Sequence, residues 1–340
     1  MTDLAAPKAI REFEGVDRRT FLEEIRPAGQ PAILRGLAGS WPAVQAARRS
    51  DEEIVAYIKK FRVARPVGAI VGTPDIGGRF FYTDDLTALN FERGMSQLDP
   101  FLDKLLRDRE APAPLAMAVQ SEKIPEILPG FELANAIDLL PSNVAPRAWI
   151  GNRIQVAPHY DLMENVGCVV AGRRRFTVFP PEQLANLYPG PFEVTPAGTP
   201  ISLVDIHAPD LDRFPGYREA AATAQTALLE PGDAIYLPFH WWHGADSLEP
   251  FNFLVNYWWN DSQPGLGSPY DALIHALYAL RHLPPEQRDV WRTVFDHYIF
   301  CADGDPGAHL PANARGVLGP PTPERLERMR ATLLQALSRF

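Results

Sequence analysis

His159, Asp161 and His243 are the residues whose types and spacing suggest chemistry. The first two stand in the run Val156-Ala157-Pro158-His159-Tyr160-Asp161. Residues i and i+2 of a strand point to one face, so this run aims an imidazole and a carboxylate into one space. The third closes the run Tyr236-Leu237-Pro238-Phe239-His240-Trp241-Trp242-His243. Two histidines and a carboxylate on one side of a metal leave coordination positions open, as in the non-haem Fe(II) oxygenases. A His-x-Asp pair alone is more often a satisfied polar pair or a turn. Three features raise it here. Asp161 follows a strand-like run. His243 comes 84 residues later, beyond several more such runs, as a fold whose first and last core strands meet requires. Trp241 and Trp242 are expected to wall the site with apolar surface and keep water from an oxidising centre.

His240 competes with His243 for the third position, but on a strand its odd spacing would turn it to the opposite face, so it reads as a rim or core residue. His207, His275, His282, His297 and His309 have no ligand-like neighbours and carry the ordinary reading. Ser202 and Cys168 read as packing residues.

The elements that must position these groups change character along the chain. Asp17 caps a short helix over 17–26 that Pro27 stops, and 31–37 is an apolar strand. Ser50 with Glu53 forms a capping box opening a helix with Ile54, Ile58 and Phe61 on one stripe. Strands are expected at 67–71, 79–83 and 115–120, a helix at 97–108, and short helical turns over 124–140. From Arg147 to Trp259, strand-like runs recur at 147–150, 153–157, 166–171, 174–179, 201–205, 226–230, 234–237 and 252–258. Short strands with regular turn signals suggest a sandwich or barrel, and ligands on the strands suggest a jelly roll of the cupin type. Helices are expected again at 270–282 and 286–300, with a last one capped by Thr322. Its stripe of Leu326, Met329, Leu333 and Leu337 must bury against something, and a second copy of the chain is the expected partner. The resulting division is 1–260, a domain that is mainly β with flanking helices, and 261–340, a helical extension.

Composition narrows the function. The formal charge is −9, so a broad nucleic-acid surface is not expected, and Arg173-Arg174-Arg175 is one local basic cluster. The 34 prolines, about twice the usual share, shorten helices and favour turns. Cys168 and Cys301 imply no disulfide framework. Met1 to Gly15 has no apolar stretch of the signal-peptide kind, and no apolar run approaches the ~20 residues of a membrane helix. A cytoplasmic protein is expected.

Several ordered motifs carry a family resemblance. They are His159-Tyr160-Asp161 with Asn165, then Ala171-Gly172-Arg173-Arg174-Arg175-Phe176-Thr177-Val178-Phe179-Pro180-Pro181-Glu182-Gln183, then Leu187-Tyr188-Pro189. Further along stand Ser202-Leu203-Val204-Asp205 with Asp210 and Arg213-Phe214-Pro215, Glu230-Pro231-Gly232-Asp233-Ala234-Ile235-Tyr236-Leu237-Pro238, Trp241-Trp242-His243, and Val255-Asn256-Tyr257-Trp258. This pattern resembles the cupin-like branch of the JmjC oxygenases, strongly over 145–260 and loosely over 17–145. The resemblance implies an Fe(II)- and 2-oxoglutarate-dependent dioxygenase on a double-stranded β-helix. It places His159, Asp161 and His243 on the metal. It places Asn165, Asn256 and Trp258 near the cosubstrate, and Arg174 where members usually carry a lysine for the distal carboxylate of 2-oxoglutarate. An arginine can serve there through two parallel hydrogen bonds. Strand alternation puts Arg174, Phe176 and Val178 on one face and Arg173, Arg175 and Thr177 on the other.

Two positions depart from the family's asparaginyl hydroxylases. Val156 stands where those carry a threonine, and Met117 where they carry a tyrosine that touches the same carboxylate. Gln155, Gln120 and Ser121 are the candidates to replace the lost donors. Hydroxylation of a protein or peptide side chain is the leading expectation, with a small-molecule substrate beside it. The loop from Tyr188 to Pro200 is expected at the entrance. The rivals are a non-catalytic cupin that senses a metal or 2-oxoacid, and a Zn or Mn cupin isomerase or hydrolase.

Overall fold

The computed structural model describes residues 4–262 and 265–338. Its centre is eight strands, labelled here β1 (Pro146–Gly151), β2 (Gln155–His159), β3 (Glu164–Ala171), β4 (Arg174–Phe179), β5 (Gln225–Leu229), β6 (Ala234–Leu237), β7 (Trp242–Ser247) and β8 (Asn252–Trp259). They lie in two sheets, in the orders β5-β4-β7-β2 and β6-β3-β8-β1. The first sheet is edged by Lys8–Ala9 and Arg79–Phe80. The second is widened by Arg11–Glu14 and Ala32–Arg35 on one side, and by Ala116–Lys123, Pro66–Gly72 and Glu92–Gln97 on the other. This is the expected jelly roll.

The two sheets share a core made by alternation. On β4, Arg174, Phe176 and Val178 are buried while Arg175 is exposed, the expected parity. Phe176 and Val178 meet Val169, Ile235, Leu237 and Leu254 from the opposite sheet. The outer face of the larger sheet is covered instead of solvated. Helices Pro42–Ala47, Asp51–Lys59 and Leu98–Asp108 bring Val44, Ile54, Ile58, Leu102 and Leu105 into one cluster with Val166, Cys168, Val170 and Val255. Each such fully buried side chain contributes roughly 1.5–3 kcal/mol. Truncating Ile58 to alanine would therefore cost about 2–5 kcal/mol. Burial on both faces explains why β3 and β8 read as continuous apolar runs.

Helix starts follow their caps. Asp17 accepts from the Thr20 amide at 2.7 Å, and Ser50 from the Glu53 amide at 3.2 Å. The segment after Asp17 continues through wider and tighter turns to Ala28, and Gly29, with φ +60°, ends it.

Elements near the site differ from expectation. Residues 201–205 form no strand; Ser202 makes one bridge to Pro189, and its hydroxyl donates to the Leu187 carbonyl at 2.6 Å. The strand expected over 79–83 shortens to Arg79–Phe80. The strand that does carry His243, β7, was not foreseen. Its Gly244, Ala245, Asp246 and Ser247 have low strand preference. It exists because β4 and β2 hold it from both sides.

The chain divides into two compact units, Met1–Asn260 and Asp261–Phe340. The second holds helices Pro269–Leu280, Pro285–Tyr298 and Pro323–Leu337, close to the expected bounds, with Ser268 and Thr322 as caps. None of the three has a buried residue. On the last helix Met329, Leu333 and Leu337 are exposed. Among the described residues, no helix is long and apolar enough to cross a membrane.

Candidate metal centre and its cavity

β2 and β7 pair antiparallel with His159 opposite His243, and the two ring centroids lie 4.4 Å apart. The register slips between His243 and Ala245, which leaves an extra residue on β2. Pro158 sits in that stretch, where a missing amide hydrogen costs nothing, and such bulges re-aim side chains beside sites. Asp161 follows just beyond β2. One ligand atom from each of His159, Asp161 and His243 lies within 4.8 Å of the others. Among the described residues this is the only group of three such side chains that could share a metal ion.

The surroundings fix how each group points. His159 Nδ1 lies 3.0 Å from the Ala157 carbonyl, and His243 Nδ1 lies 3.0 Å from the Trp241 carbonyl. With Nδ1–H donating to these carbonyls, both Nε2 lone pairs are left for the shared point. Burial, and the nearby His243, push the His159 imidazole down to about 4, with Asp161 opposing in part. His159 is therefore neutral near pH 7, the form that binds metal.

Asp161 is held from behind. Its Oδ2 accepts the Trp258 indole N–H at 3.0 Å and the Asn165 amide at 3.3 Å. Asn165 Oδ1 accepts from Asn256 at 3.1 Å, and Asn256 Oδ1 accepts from the Trp149 indole at 2.7 Å. The result is a chain Trp149–Asn256–Asn165–Asp161, closed by Trp258, whose ring meets Trp149 edge-on at 5.6 Å. Asn165, Asn256 and Trp258 all line the cavity, and all three belong to the network that orients Asp161. Trp149 was not singled out from the sequence. Its one signal is that it sits between Ala148 and Ile150, which bury to the other face of β1.

These groups open on a cavity of about 410 Å³. Arg174 lines it from β4. Its side chain is buried, 7% exposed, and its Nε has no hydrogen-bond partner. Burial alone draws its guanidinium down to about 10, so it remains a cation at neutral pH. A buried cation without a counter-ion is costly, and a bound anion would relieve the cost.

Several expected contributors lie elsewhere. Trp241 packs with Val169 and Leu237 and donates its indole N–H to the Gly29 carbonyl at 3.1 Å. Trp242 packs with Tyr160 and Phe179. Neither lines the cavity; its apolar wall is Phe80, Phe91, Trp149, Phe176, Ile201 and Leu254. His240 lies in a turn with φ +61°, so the strand-parity argument does not apply to it, and its ring stacks on Tyr160 at 4.8 Å. His207 pairs with Asp246 at 3.0 Å.

Met117 does not face the cavity. It packs into the helix-covered core, while Ala116 and Ala118 take the other face. A bulge between Val119 and Glu122, with Ser121 at φ +56°, then turns both Gln120 and Ser121 toward the cavity. Gln155 lies beside Ile206 and His207, apart from the cavity, whereas Val156 lines it. From the loop expected at the entrance, Pro196, Ala197 and Gly198 are in the lining.

A family model described as a cupin-like domain matches residues 18–264. The chain is similar to lysine-specific demethylase 8 of Xenopus tropicalis, 25% identical over 236 residues, 68% of this chain and 48% of that protein. It is similar to Jumonji C domain-containing protein 5 of Drosophila melanogaster, 27% identical over 254 residues, 74% of this chain and 59% of that protein. It also resembles human HSPB1-associated protein 1, 37% identical over 116 residues, 32% of this chain and 22% of that protein. The chain thus spans between about a fifth and three fifths of these relatives.

Proposed function

The chain belongs to the cupin-like JmjC family, and from that premise we propose that it is an Fe(II)- and 2-oxoglutarate-dependent dioxygenase hydroxylating a C–H bond, with a protein or peptide side chain as substrate. One observation carries the reading: a two-histidine, one-carboxylate group and an unpartnered buried arginine face the same cavity. The donor set suits iron with open positions. The arginine suits the far carboxylate of a dicarboxylic 2-oxoacid.

In this reading His159, Asp161 and His243 hold the iron. Bound iron and 2-oxoglutarate supply the oxidising power for C–H hydroxylation, with 2-oxoglutarate consumed to succinate and CO2. Arg174 anchors the cosubstrate through its guanidinium fork, with Gln120 and Ser121 as neighbouring polar groups in the lining. The Trp149–Asn256–Asn165 chain and Trp258 keep the Asp161 carboxylate aimed before any ligand arrives. Phe80, Phe91 and Ile201 exclude water from the substrate side.

Incubation with Fe(II), 2-oxoglutarate and oxygen should yield succinate. A protein that binds iron and 2-oxoglutarate yet forms none would instead be a sensor or interaction module. Val156, which puts no hydroxyl into the cavity, is the observation favouring that second reading. A small-molecule substrate is the other branch of the same chemistry. We also propose that the exposed apolar stripe on Pro323–Leu337 is covered by a second copy of the chain. Light scattering should give a dimer that Leu333→Glu with Leu337→Glu makes monomeric. A cytoplasmic setting, proposed with it, accords with two unpaired cysteines, one of them exposed.

A further inference from the structure

The lining of the cavity has a sign. Among the described residues Asp161 is its only carboxylate, and that group is engaged by Trp258, Asn165 and His243. The lining has two guanidinium groups, Arg174 within and Arg93 on the exposed edge strand Glu92–Gln97. Arg93 uses one nitrogen, Nη2, to hold the Thr195 and Pro196 carbonyls at 3.0 and 3.1 Å, and its cationic carbon stands 5.7 Å from the centre of the Phe91 ring. Those bonds fix Pro196, Ala197 and Gly198 along the cavity. Among the described residues Arg93 forms no ion pair, and its uncompensated charge stands in the cavity lining.

The inference rests on the oxygenase reading above. A divalent ion, a dianionic 2-oxoacid, Asp161 and Arg174 together leave the inner site neutral. Arg93 then sets the charge met by whatever enters, and the other walls are uncharged: Phe80, Phe91, Trp149, Trp258, Val156 and Ile201, with Gln120 and Ser121 as neutral polar groups. An ammonium or guanidinium group arriving there would lose its water, find no free carboxylate, and have only the rings of Phe80, Phe91, Trp149 and Trp258 to set against the like charge of Arg93. We propose that the group oxidised is uncharged, on a substrate carrying acidic groups beside it that Arg93 selects, and that methylated lysine and arginine side chains are excluded. This separates the chain from what the name lysine-specific demethylase says of its relative.

The test uses three fluorescent peptides on the whole 340-residue chain, loaded with Mn(II) and 2-oxoglutarate and read by anisotropy. One has a central leucine flanked by aspartates, one a central leucine flanked by lysines, and one a central trimethyl-lysine flanked by aspartates. The first should bind best. The trimethyl-lysine peptide should be weaker by more than about 100-fold, the scale of an uncompensated buried charge. Arg93→Gln keeps a side-chain N–H for the loop carbonyls and removes the charge. It should cut the preference for aspartate over lysine flanks by about fivefold, as for an exposed charge. Equal or tighter binding of the trimethyl-lysine peptide, an unchanged flank preference in Arg93→Gln, or no binding of the first peptide would each overturn the proposal. Succinate formation is followed in parallel. Its absence, with the binding order intact, would remove the oxygenase reading and leave the charge selection standing.

Discussion

At one pole of the cavity Asp161 is held by Trp258 and by a chain of amides running back to Trp149. Arg174 is more deeply enclosed, and its Nε has no hydrogen-bond partner. Buried polar groups are nearly always paired, so the contrast is informative. The carboxylate pole is satisfied within the protein, which keeps its geometry whether or not a ligand is present. The arginine pole is left for a partner that the protein does not supply. Under the proposed oxygenase reading, one pole keeps the metal ligand aimed and the other takes the cosubstrate.

The largest break in this comparison is Asp161→Ala. It should cost more than the ~10–100-fold typical of outer partners of a metal ligand, in both iron affinity and 2-oxoglutarate turnover. Metal analysis and succinate formation check it. Arg174→Met should act oppositely on the ligand-free protein. Exchanging a buried unpaired charge for an apolar side chain should stabilise it by about 1–4 kcal/mol in chemical denaturation. Destabilisation would mean that Arg174 has a structural partner after all.

The histidines sharpen the comparison through pH. His159 is held at about 4 in the folded protein against an ordinary 6.5. As pH falls from about 6.5 toward 4, the unfolded chain takes the proton first, so metal-free stability is full above this window and lost through it. The loss is on the order of 2 kcal/mol, and His159→Gln should flatten it in denaturation curves at pH 7.5 and 4.5. Trp149→Phe is the smallest change. It keeps the ring and removes the N–H that Asn256 accepts, and iron affinity should fall about tenfold with little loss of stability.

The sequence made the triad legible because three residue types with metal chemistry stood on strand-like runs at compatible spacing. Arg174 was legible through the strict alternation of β4. The missed parts share a cause. β7 exists by its neighbours and not by the preferences of Gly244, Ala245, Asp246 and Ser247. Met117 packs on the side of the sheet away from the cavity, because a bulge after Val119 that no local pattern marks turns Gln120 and Ser121, the named candidates, inward in its place. Trp241 and Trp242 were expected to shield the site; adjacent residues on a chain turn face different ways, and these joined separate clusters. Trp149 and Arg93 act through residues 107 and more than 100 positions away, contacts that no local pattern records.

The central claim is that the buried Arg174 guanidinium takes the far carboxylate of a dicarboxylic 2-oxoacid beside the metal. Calorimetric titration of 2-oxoglutarate into Mn(II)-loaded protein tests it most directly. The account predicts binding to the wild type, a loss of more than about 30-fold in Arg174→Met, the scale of breaking a buried charge pair, and partial recovery in Arg174→Lys. Equal affinity in wild type and Arg174→Met would contradict it.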